Sequence, residues 1–159
     1  MENKSSRTFD LLTLGQVLLR LSPPDNERLS RGDTFIKQVG GAELNVAVGG
    51  SLLGLLTGVI SKLPAHDIGS FMKGKIRSFG VSDDFFMYDH SAEARLGIYY
   101  YENGAYPRKP KVIYDRKHSS FFSLSLDEIP EEVYTAYKSF NTTGITLDLS
   151  PRIQENTKD

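Results

Sequence analysis

The chain has 159 residues, a formal net charge of -1 and no cysteine. Its length is sufficient to bury a core and suggests one domain. The nearly balanced charge argues against partners such as nucleic acid or an anionic membrane. The lack of cysteine excludes disulfides, thiolate metal sites and a cysteine nucleophile.

The N-terminal segment MENKSSRTFD is polar and lacks the basic and then apolar order of a signal peptide. The longest weakly polar run, Ala47 to Ile60, is too short and too rich in glycine to span a bilayer. A chain without cysteine is also typical of a reducing compartment. We therefore predict a cytoplasmic protein without a membrane segment. The histidines are scattered without metal-ligand spacing, so we predict no metal site.

The first half of the chain alternates strand and helix patterns. Apolar residues from Leu44 to Leu55 recur at the spacing of one helix face. Gly49, Gly50 and Gly54 weaken that helix and suggest close packing against another element. The predicted elements are a strand at Phe9 to Gly15, a helix at Glu43 to Leu55, a strand at Thr57 to Leu63 and a helix at Ile68 to Phe79, which ends at Gly80.

The second half continues this alternation. The pattern of Asp84 to Tyr88 predicts a short strand. Asp, Glu and Pro open an amphipathic segment over Ser125 to Phe140, which predicts a third helix. A strand follows over Thr142 to Pro151. The succession argues for an α/β fold with a mostly parallel sheet flanked by helices.

Two extended pairs do not fit the alternation, and we place them in a small side sheet. The first lies within Gln16 to Val39 and is interrupted at Pro23. The second lies within Arg95 to Arg116, where two aromatic and β-branched runs are joined by a polar loop. That arrangement predicts a β-hairpin.

The stretch "VGGAELNVAVG", Val39 to Gly49, places two glycines directly before a helix. Amides at a helix N-terminus can bind anions or hydroxyls, and Gly40 and Gly41 allow close approach to the backbone. Asn45 lies in the first turn and offers both donors and an acceptor. The alternative is a glycine turn before a packed helix, with Asn45 hydrogen-bonded locally.

This stretch resembles the N-terminal signature of the ribokinase (PfkB) family of carbohydrate kinases. Its neighbours agree in order and spacing: "LLTLGQVLLRLSPP", "GVISKLPAHDIGSFMKGKIRSFGVSDDF", "LGIYYYE", "KVIYDRKHSS" and "LDEIPEEVY" with "TTGITLDLSP". Together they are most similar to the 2-keto-3-deoxygluconate kinase branch. The resemblance covers about Phe9 to Pro151. It implies a ribokinase-like fold in which the small side sheet is a lid over the sugar.

The resemblance implies substrate-binding positions residue by residue. Gly40, Gly41 and Asn45 match positions that hold sugar hydroxyls. Tyr99 matches a lid tyrosine that contacts the substrate. Tyr114 and Arg116 match the pair beside the acid end of a sugar acid.

Arg116 is the strongest indication of a substrate that carries a carboxylate, because the guanidinium fork can bind both carboxylate oxygens. The alternative is an ordinary solvated charge on a strand. Of the three consecutive tyrosines at Tyr99 to Tyr101, only one face of the strand can meet a ligand. Gln16 stands where the family frequently has Glu, and His118 where it more often has glycine.

Family members are about twice as long, and the resemblance implies that this chain is the truncated N-terminal half of a kinase domain, residues 1–159. The half with the catalytic Asp, the anion hole and the nucleotide pocket is absent, so we assign no catalytic, cofactor or metal residue here. ATP and Mg are expected for the full-length family member. We expect no phosphotransferase activity from this chain alone.

Two other interpretations stay open: a non-catalytic sugar-acid binding or dimerising module, and an α/β domain that shares only the fold. Family lid strands often pair between subunits. The segment GITLDLS would also expose a sheet edge and an apolar face if its neighbours were missing. We therefore predict a homo-oligomer formed through the lid or this edge.

Overall fold

The described part of the chain comprises residues 8–144 and 146 of a computed structural model. It contains two four-stranded sheets, and two α-helices have both ends within the described residues. Three short 3-10 segments lie between the last two strands: Ser120–Ser123, Leu126–Glu128 and Glu131–Thr135. In chain order the strands and helices are β1 (Phe9–Leu14), β2 (Leu18–Ser22), β3 (Ile36–Gly40), α1 (Ala42–Leu52), β4 (Thr57–Pro64), α2 (Asp67–Ser78), β5 (Phe86–Asp89), β6 (Gly97–Glu102), β7 (Lys111–Asp115) and β8 (Tyr137–Asn141).

The first sheet is parallel throughout and has the strand order β5-β4-β1-β8. Leu11 of β1 lies opposite Thr57 of β4 on one side and Ser139 of β8 on the other. Every residue of β4 is buried, as expected for a parallel strand covered on both faces. The predicted α/β architecture with a mostly parallel sheet is confirmed.

Hydrophobic clusters cover both faces of this sheet. Val59 and Leu63 of β4 belong to a cluster with residues of α1 and α2. Ile60, which points to the opposite face, packs with β1 and with Phe121 and Leu124 of the loop that carries the 3-10 segments. Full burial of such a side chain contributes about 1.5–3 kcal/mol, so these clusters stabilise the sheet from both sides.

The second sheet is smaller and has the order β3-β2-β6-β7. The pairs β2–β3 and β6–β7 are antiparallel, whereas β2 and β6 are parallel. The predicted hairpin between Arg95 and Arg116 is therefore confirmed as β6–β7. Both extended pairs that fall outside the helix–strand alternation lie in this small sheet.

The predicted third helix over Ser125 to Phe140 is wrong. The chain forms two 3-10 turns there, and its last residues become β8, which pairs with β1. Pro130 explains the interruption, because it has no N–H to donate and disfavours helical backbone at the preceding residue. Ile129 accordingly has φ -81° and ψ 120°.

The predicted strand at Thr142 to Pro151 is wrong wherever the structure describes it. Residues 142–144 and 146 include no strand, and Gly144 and Thr146 are helical. The strand of this region is β8, which begins five residues earlier at Tyr137. The rest of the predicted strand, and most of the segment GITLDLS, lie outside the described residues.

The predicted apolar face of α1 is only partly correct. Leu44 is buried, but α1 ends at Leu52, which is 75% exposed, and Leu55 is also exposed. Gly50 packs closely against Thr57, whereas open space surrounds Gly49 and Gly54. The helix α2 matches its prediction, and Gly80 follows it with φ 77°. No helix of the described residues is long and apolar enough to cross a membrane.

An ion pair joins β4 to the loop before β8. The Nζ of Lys62, which is 8% exposed, lies 2.7 Å from Oε1 of Glu128. Burial opposes ionisation of Glu128, but hydrogen bonds from Lys62 and from the Ser125 amide hold its pKa below the ordinary value of 4.5. A carboxylate with a lowered pKa stabilises the folded state above its ordinary pKa, and this contribution is lost as the pH falls through the lowered value.

We expect Glu128→Gln to lower the free energy of unfolding at pH 7 by about 1 kcal/mol or less, because the Glu128 side chain is partly screened by solvent. The difference between the two proteins should shrink as the pH falls from 7 through the lowered pKa of Glu128, because protonation removes the charge that Lys62 stabilises. Urea unfolding over a series of decreasing pH values measures this. Glu131→Gln, a nearby exposed change, is the control, and a Glu128→Gln deficit that persists at low pH would contradict the assignment.

Candidate functional site

A cavity of about 440 Å³ lies between the small sheet and the start of α1. Its volume is in the range of small-molecule sites. Residues of β2, β6 and β7 form one side, and the first turn of α1 forms the other. The polar residues that line it are Gln16, Arg20, Glu43, Asn45, Tyr99, Tyr101, Tyr114 and Arg116.

The glycine pair sets the distance between the small sheet and α1. Gly41 is the N-cap of α1 and has φ 135°, a conformation that residues with a Cβ rarely adopt. A Cβ at Gly41 would lie 2.6 Å from the main-chain oxygen of Gln16. A Cβ at Gly40 would lie 2.5 Å from the hydroxyl of Tyr99. The backbone at the entrance to α1 therefore packs directly against the cavity wall.

We expect Gly41→Ala to destabilise the protein by about 2 kcal/mol or more, because the methyl group would meet backbone in a strained conformation. The matched control is Gly49→Ala in the same helix, where no atom lies within 4 Å of the added Cβ. That change should stabilise by roughly 0.5–1 kcal/mol, since alanine is the better helix former. Thermal and urea unfolding measure both, and similar effects at the two positions would refute the argument.

Asn45 lines this cavity and also an adjoining cavity of about 350 Å³. Its side chain is exposed, and it makes no hydrogen bond with residues 8–144 and 146. The local hydrogen bond that would account for Asn45 without a ligand is therefore not found in the described part. The amide offers a donor group and an acceptor at the cavity.

Aromatic rings form much of the wall on the small sheet. The rings of Tyr99 and Tyr114 lie 5.8 Å apart across β6 and β7. Tyr101 lies on the same face of β6, and the guanidinium carbon of Arg20 stacks 4.3 Å from the centroid of its ring. Burial raises the pKa of Tyr99, although Arg20 acts in the opposite direction, so its hydroxyl is protonated at neutral pH and can both donate and accept. Tyr100 points away and packs on Phe35.

Arg116 is held by a buried glutamine. Its Nε and Nη2 donate hydrogen bonds of 2.8 and 2.6 Å to Oε1 of Gln16. Gln16 is 3% exposed, and its Nε2 donates to Oγ of Ser119 at 2.6 Å and to the main-chain oxygen of Arg116 at 3.3 Å. Partial burial lowers the pKa of Arg116, while Tyr114 and Glu43 raise it. The guanidinium is therefore fixed at the cavity by a neutral partner.

Glu43 is a buried carboxylate at the other side of the cavity. Its Oε1 accepts hydrogen bonds from the amide and the hydroxyl of Thr143, at 3.2 and 2.6 Å, and from the hydroxyl of Thr146 at 2.5 Å. The side chain also fills the space where Gly15 lacks a Cβ. Glu43 thus connects the first turn of α1 with the segment that follows β8.

The structure places five of the six residues singled out from the sequence around one cavity: Gly41, Asn45, Tyr99, Tyr114 and Arg116. Gly40 lies behind Tyr99 and is not part of the lining. His118, two residues after Arg116, has φ 55°, the conformation that glycine adopts most readily. This conformation agrees with glycine being the more frequent residue of the family at that position.

Sequence reasoning did not assign a site role to Gln16, Arg20 or Glu43. The sequence did contain one indication for Arg20, because it is a charged residue inside an apolar strand. Its neighbours Leu18 and Leu19 are buried. Within the described ranges, 8–144 and 146, no group of three or more His, Asp or Glu could hold a metal ion. The cavity presents a guanidinium, tyrosine hydroxyls and an amide.

The fold and the cavity define an α/β protein of the ribokinase-like class. The profile of the pfkB family of carbohydrate kinases matches residues 8–156. The chain therefore belongs to the pfkB family of carbohydrate kinases.

Individual relatives carry names of kinases for related sugar acids. A 2-dehydro-3-deoxygalactonokinase from Haloferax volcanii is 37% identical over 94% of this chain and 46% of its own length. A 5-dehydro-2-deoxygluconokinase from Clostridium beijerinckii is 31% identical over 92% of this chain and 43% of its own. The crystal structure of 2-dehydro-3-deoxygluconokinase from Thermotoga maritima superposes with a TM-score of 0.85, at 37% identity, over 92% of this chain and 45% of that one.

The chain thus spans somewhat less than half the length of the curated relatives that it matches. The interpretation in which only the fold is shared with carbohydrate kinases is wrong, because the family match covers residues 8–156. The homo-oligomer expected from the lid or the sheet edge stays a prediction.

Proposed function

We propose that this chain forms the sugar-binding half of an ATP-dependent kinase that phosphorylates 2-keto-3-deoxygluconate or a similar sugar acid. The observation that carries the proposal is Arg116, whose guanidinium faces a cavity that also contains tyrosine hydroxyls, an amide and a helix N-terminus. A carboxylate is the natural partner of a fixed guanidinium, and the other groups suit hydroxyls.

Each residue has a distinct role in this proposal. Arg116 and Tyr114 bind the acid end of the ligand, while Tyr99 covers its carbon chain. Asn45 and the backbone at Gly41 hold the hydroxyls at the other end. The names of the relatives support a sugar acid as the ligand class.

ATP and Mg would act in the full-length kinase rather than on the described residues. Within the described ranges, no acidic cluster could hold the metal. We propose that the catalytic Asp and the nucleotide site belong to the part of the relatives that this chain does not match, which is more than half of their length. The described residues then bind and orient the sugar without transferring the phosphoryl group.

The test is a thermal melt of the purified protein with and without 2-keto-3-deoxygluconate. Ligand at 100 times its dissociation constant should add roughly 2.7 kcal/mol to the free energy of unfolding. The uncharged analogue 3-deoxyfructose, which has a hydroxymethyl group in place of the carboxylate, should give a smaller shift. Equal shifts, or none, would overturn the proposed sugar-acid site.

A phosphorylation assay with ATP and Mg tests the second part of the proposal. This chain by itself should form no phosphorylated sugar. Product formed by the purified chain would show that the described residues, or those beyond them in this chain, suffice for catalysis. A sugar-acid binding module without kinase activity would bind the ligand in the melt but remain inactive when combined with the half of a relative that this chain does not match.

A further inference from the structure

The carboxyl group of Glu43 lies where two neighbouring parallel strands end. Gly15 directly follows β1, and Thr143 follows β8 after one intervening residue. A side chain at Gly15 would collide with the carboxyl group of Glu43, and Thr143 donates two hydrogen bonds to that group. Ligands of open α/β sheets bind beyond the carboxyl ends of the strands, so Glu43 occupies a position suited to ligand contact.

The two oxygens of this carboxylate differ in their contacts. Oε1 accepts hydrogen bonds from the amide and the hydroxyl of Thr143 and from the hydroxyl of Thr146. Oε2 receives no hydrogen bond from residues 8–144 or 146. Glu43 is 3% exposed and forms no ion pair with the part of the chain that the structure describes. Because Glu43 lines the cavity, a ligand there can supply a donor to Oε2.

The cavity carries opposite charges on its two walls. Glu43 belongs to the first turn of α1 on one wall, and Arg116 follows β7 on the other. Burial lowers the pKa of Arg116, but Glu43 is close enough to act against this effect by raising it. A sugar acid has a carboxylate at one end and hydroxyls toward the other. It therefore matches the walls in one direction, because in the reverse direction its carboxylate would face Glu43.

We propose that Glu43 accepts a hydrogen bond from a secondary hydroxyl of the sugar acid, at C4 or C5, and so fixes the direction in which the ligand lies. The inference rests on the proposed function and adds a ligand-contacting residue to the same site. A carboxylate forms a stronger hydrogen bond with a hydroxyl than a neutral acceptor does. Arg116 then selects the acid end of the ligand, and Glu43 selects its hydroxyl-bearing part.

The first measurement compares the affinity of the wild type for ligands that each lack one hydroxyl. These are the 4-deoxy, 5-deoxy and 6-deoxy derivatives of 2-keto-3-deoxygluconate, and titration calorimetry gives their affinities. Either the 4-deoxy or the 5-deoxy derivative should bind roughly tenfold or more weakly than the parent acid, as for the loss of a hydrogen bond to a charged group. If neither of them binds more weakly, the inference is overturned.

The variant Glu43→Gln tests whether the sensitive hydroxyl meets Glu43. Its amide oxygen can still accept from both threonines, which leaves an NH₂ group in place of Oε2. We expect the parent acid to bind roughly fivefold more weakly, and the ratio of its affinity to that of the sensitive derivative should fall by about threefold or more. All these ligands carry the same carboxylate, so the lost charge of Glu43 acts on them alike and the ratio reports the hydroxyl contact.

Two controls separate a ligand contact from a structural effect. In Glu43→Gln the ratio for the 6-deoxy derivative should not change, because its missing hydroxyl is not one assigned to Glu43. Glu93→Gln removes an equal charge from an exposed position and should leave every ratio at its wild-type value. Urea unfolding verifies that each variant is folded. If Glu43→Gln does not fold, Glu43→Asp supplies the test, since it withdraws the carboxylate by one methylene and should lower the same ratio.

The outcomes separate this inference from the proposed function. A wild type that does not prefer the acid over 3-deoxyfructose refutes both. A wild type that prefers the acid, together with a Glu43 variant whose ratios are unchanged, refutes the inference alone, because Glu43 would then be a merely structural residue. Tighter binding of the parent acid to Glu43→Gln would place the ligand carboxylate beside Glu43 and would also overturn it.

Discussion

Replacing Arg116 with alanine should weaken the binding of 2-keto-3-deoxygluconate by about 2–4 kcal/mol, or roughly 30- to 1,000-fold. The guanidinium is partly buried and has a neutral hydrogen-bond partner. The carboxylate of the ligand would therefore lose its nearest fixed positive charge. Arg20, stacked on Tyr101 on the same side of the cavity, would retain a weaker attraction.

The binding of 3-deoxyfructose to Arg116→Ala should change much less than that of the acid, and calorimetry with both ligands measures the difference. Arg116→Lys keeps the charge but loses the planar fork, so it should fall between the wild type and the alanine variant. The control is Arg95→Ala, which removes an equal charge from an exposed ion pair with Asp115 on the same small sheet. Retention of acid affinity in Arg116→Ala would refute the role of the guanidinium.

The second large effect is expected for the stability of Glu43→Ala. The variant would remove the acceptor of three hydrogen bonds and leave the hydroxyl of Thr146, which is 1% exposed, without its partner. Loss of a charged acceptor together with an unsatisfied buried donor costs about 3 kcal/mol or more. We expect a decrease of that size in the free energy of unfolding, measured with urea at pH 7.

Glu43→Gln is the matched variant, because its amide oxygen can still accept from both hydroxyls. It should lose only about 1 kcal/mol, the difference between a charged and a neutral acceptor. Glu93→Ala removes an exposed carboxylate and should leave stability within about 0.5 kcal/mol of the wild type. A Glu43→Ala protein as stable as the Glu93→Ala control would show that the contacts with Thr143 and Thr146 contribute little.

The local patterns of the sequence predicted most of the elements, and the exceptions have physical causes. The helix α2 and the hairpin β6–β7 follow from apolar spacing and from aromatic, β-branched runs. The predicted third helix failed because Pro130 outweighs the amphipathic spacing around it. The predicted apolar face of α1 does not extend to the end of the helix, because Leu52 and Leu53 are exposed in the structure. Helical periodicity alone cannot distinguish an exposed apolar residue from a buried one.

The candidate site was predictable only in part. The resemblance to carbohydrate kinases indicated Tyr99, Tyr114 and Arg116, and the structure places all three on one cavity. The partners that fix them were not readable, because Gln16 and Ser119 are 103 positions apart. Such contacts depend on tertiary arrangement, and no local pattern of residue types reports them.

The position of β1 in its sheet has a consequence for the order in which the protein can assemble. β1 is the first of the described strands that the ribosome would release, yet one of its edges pairs with β8, with Phe9 opposite Tyr137. Parallel pairing over such a separation is slow to form, because a long loop must be closed first. During synthesis the apolar strand Phe9–Leu14 therefore keeps one unpaired edge until Asn141 has emerged, and an intermediate of this kind is prone to aggregate.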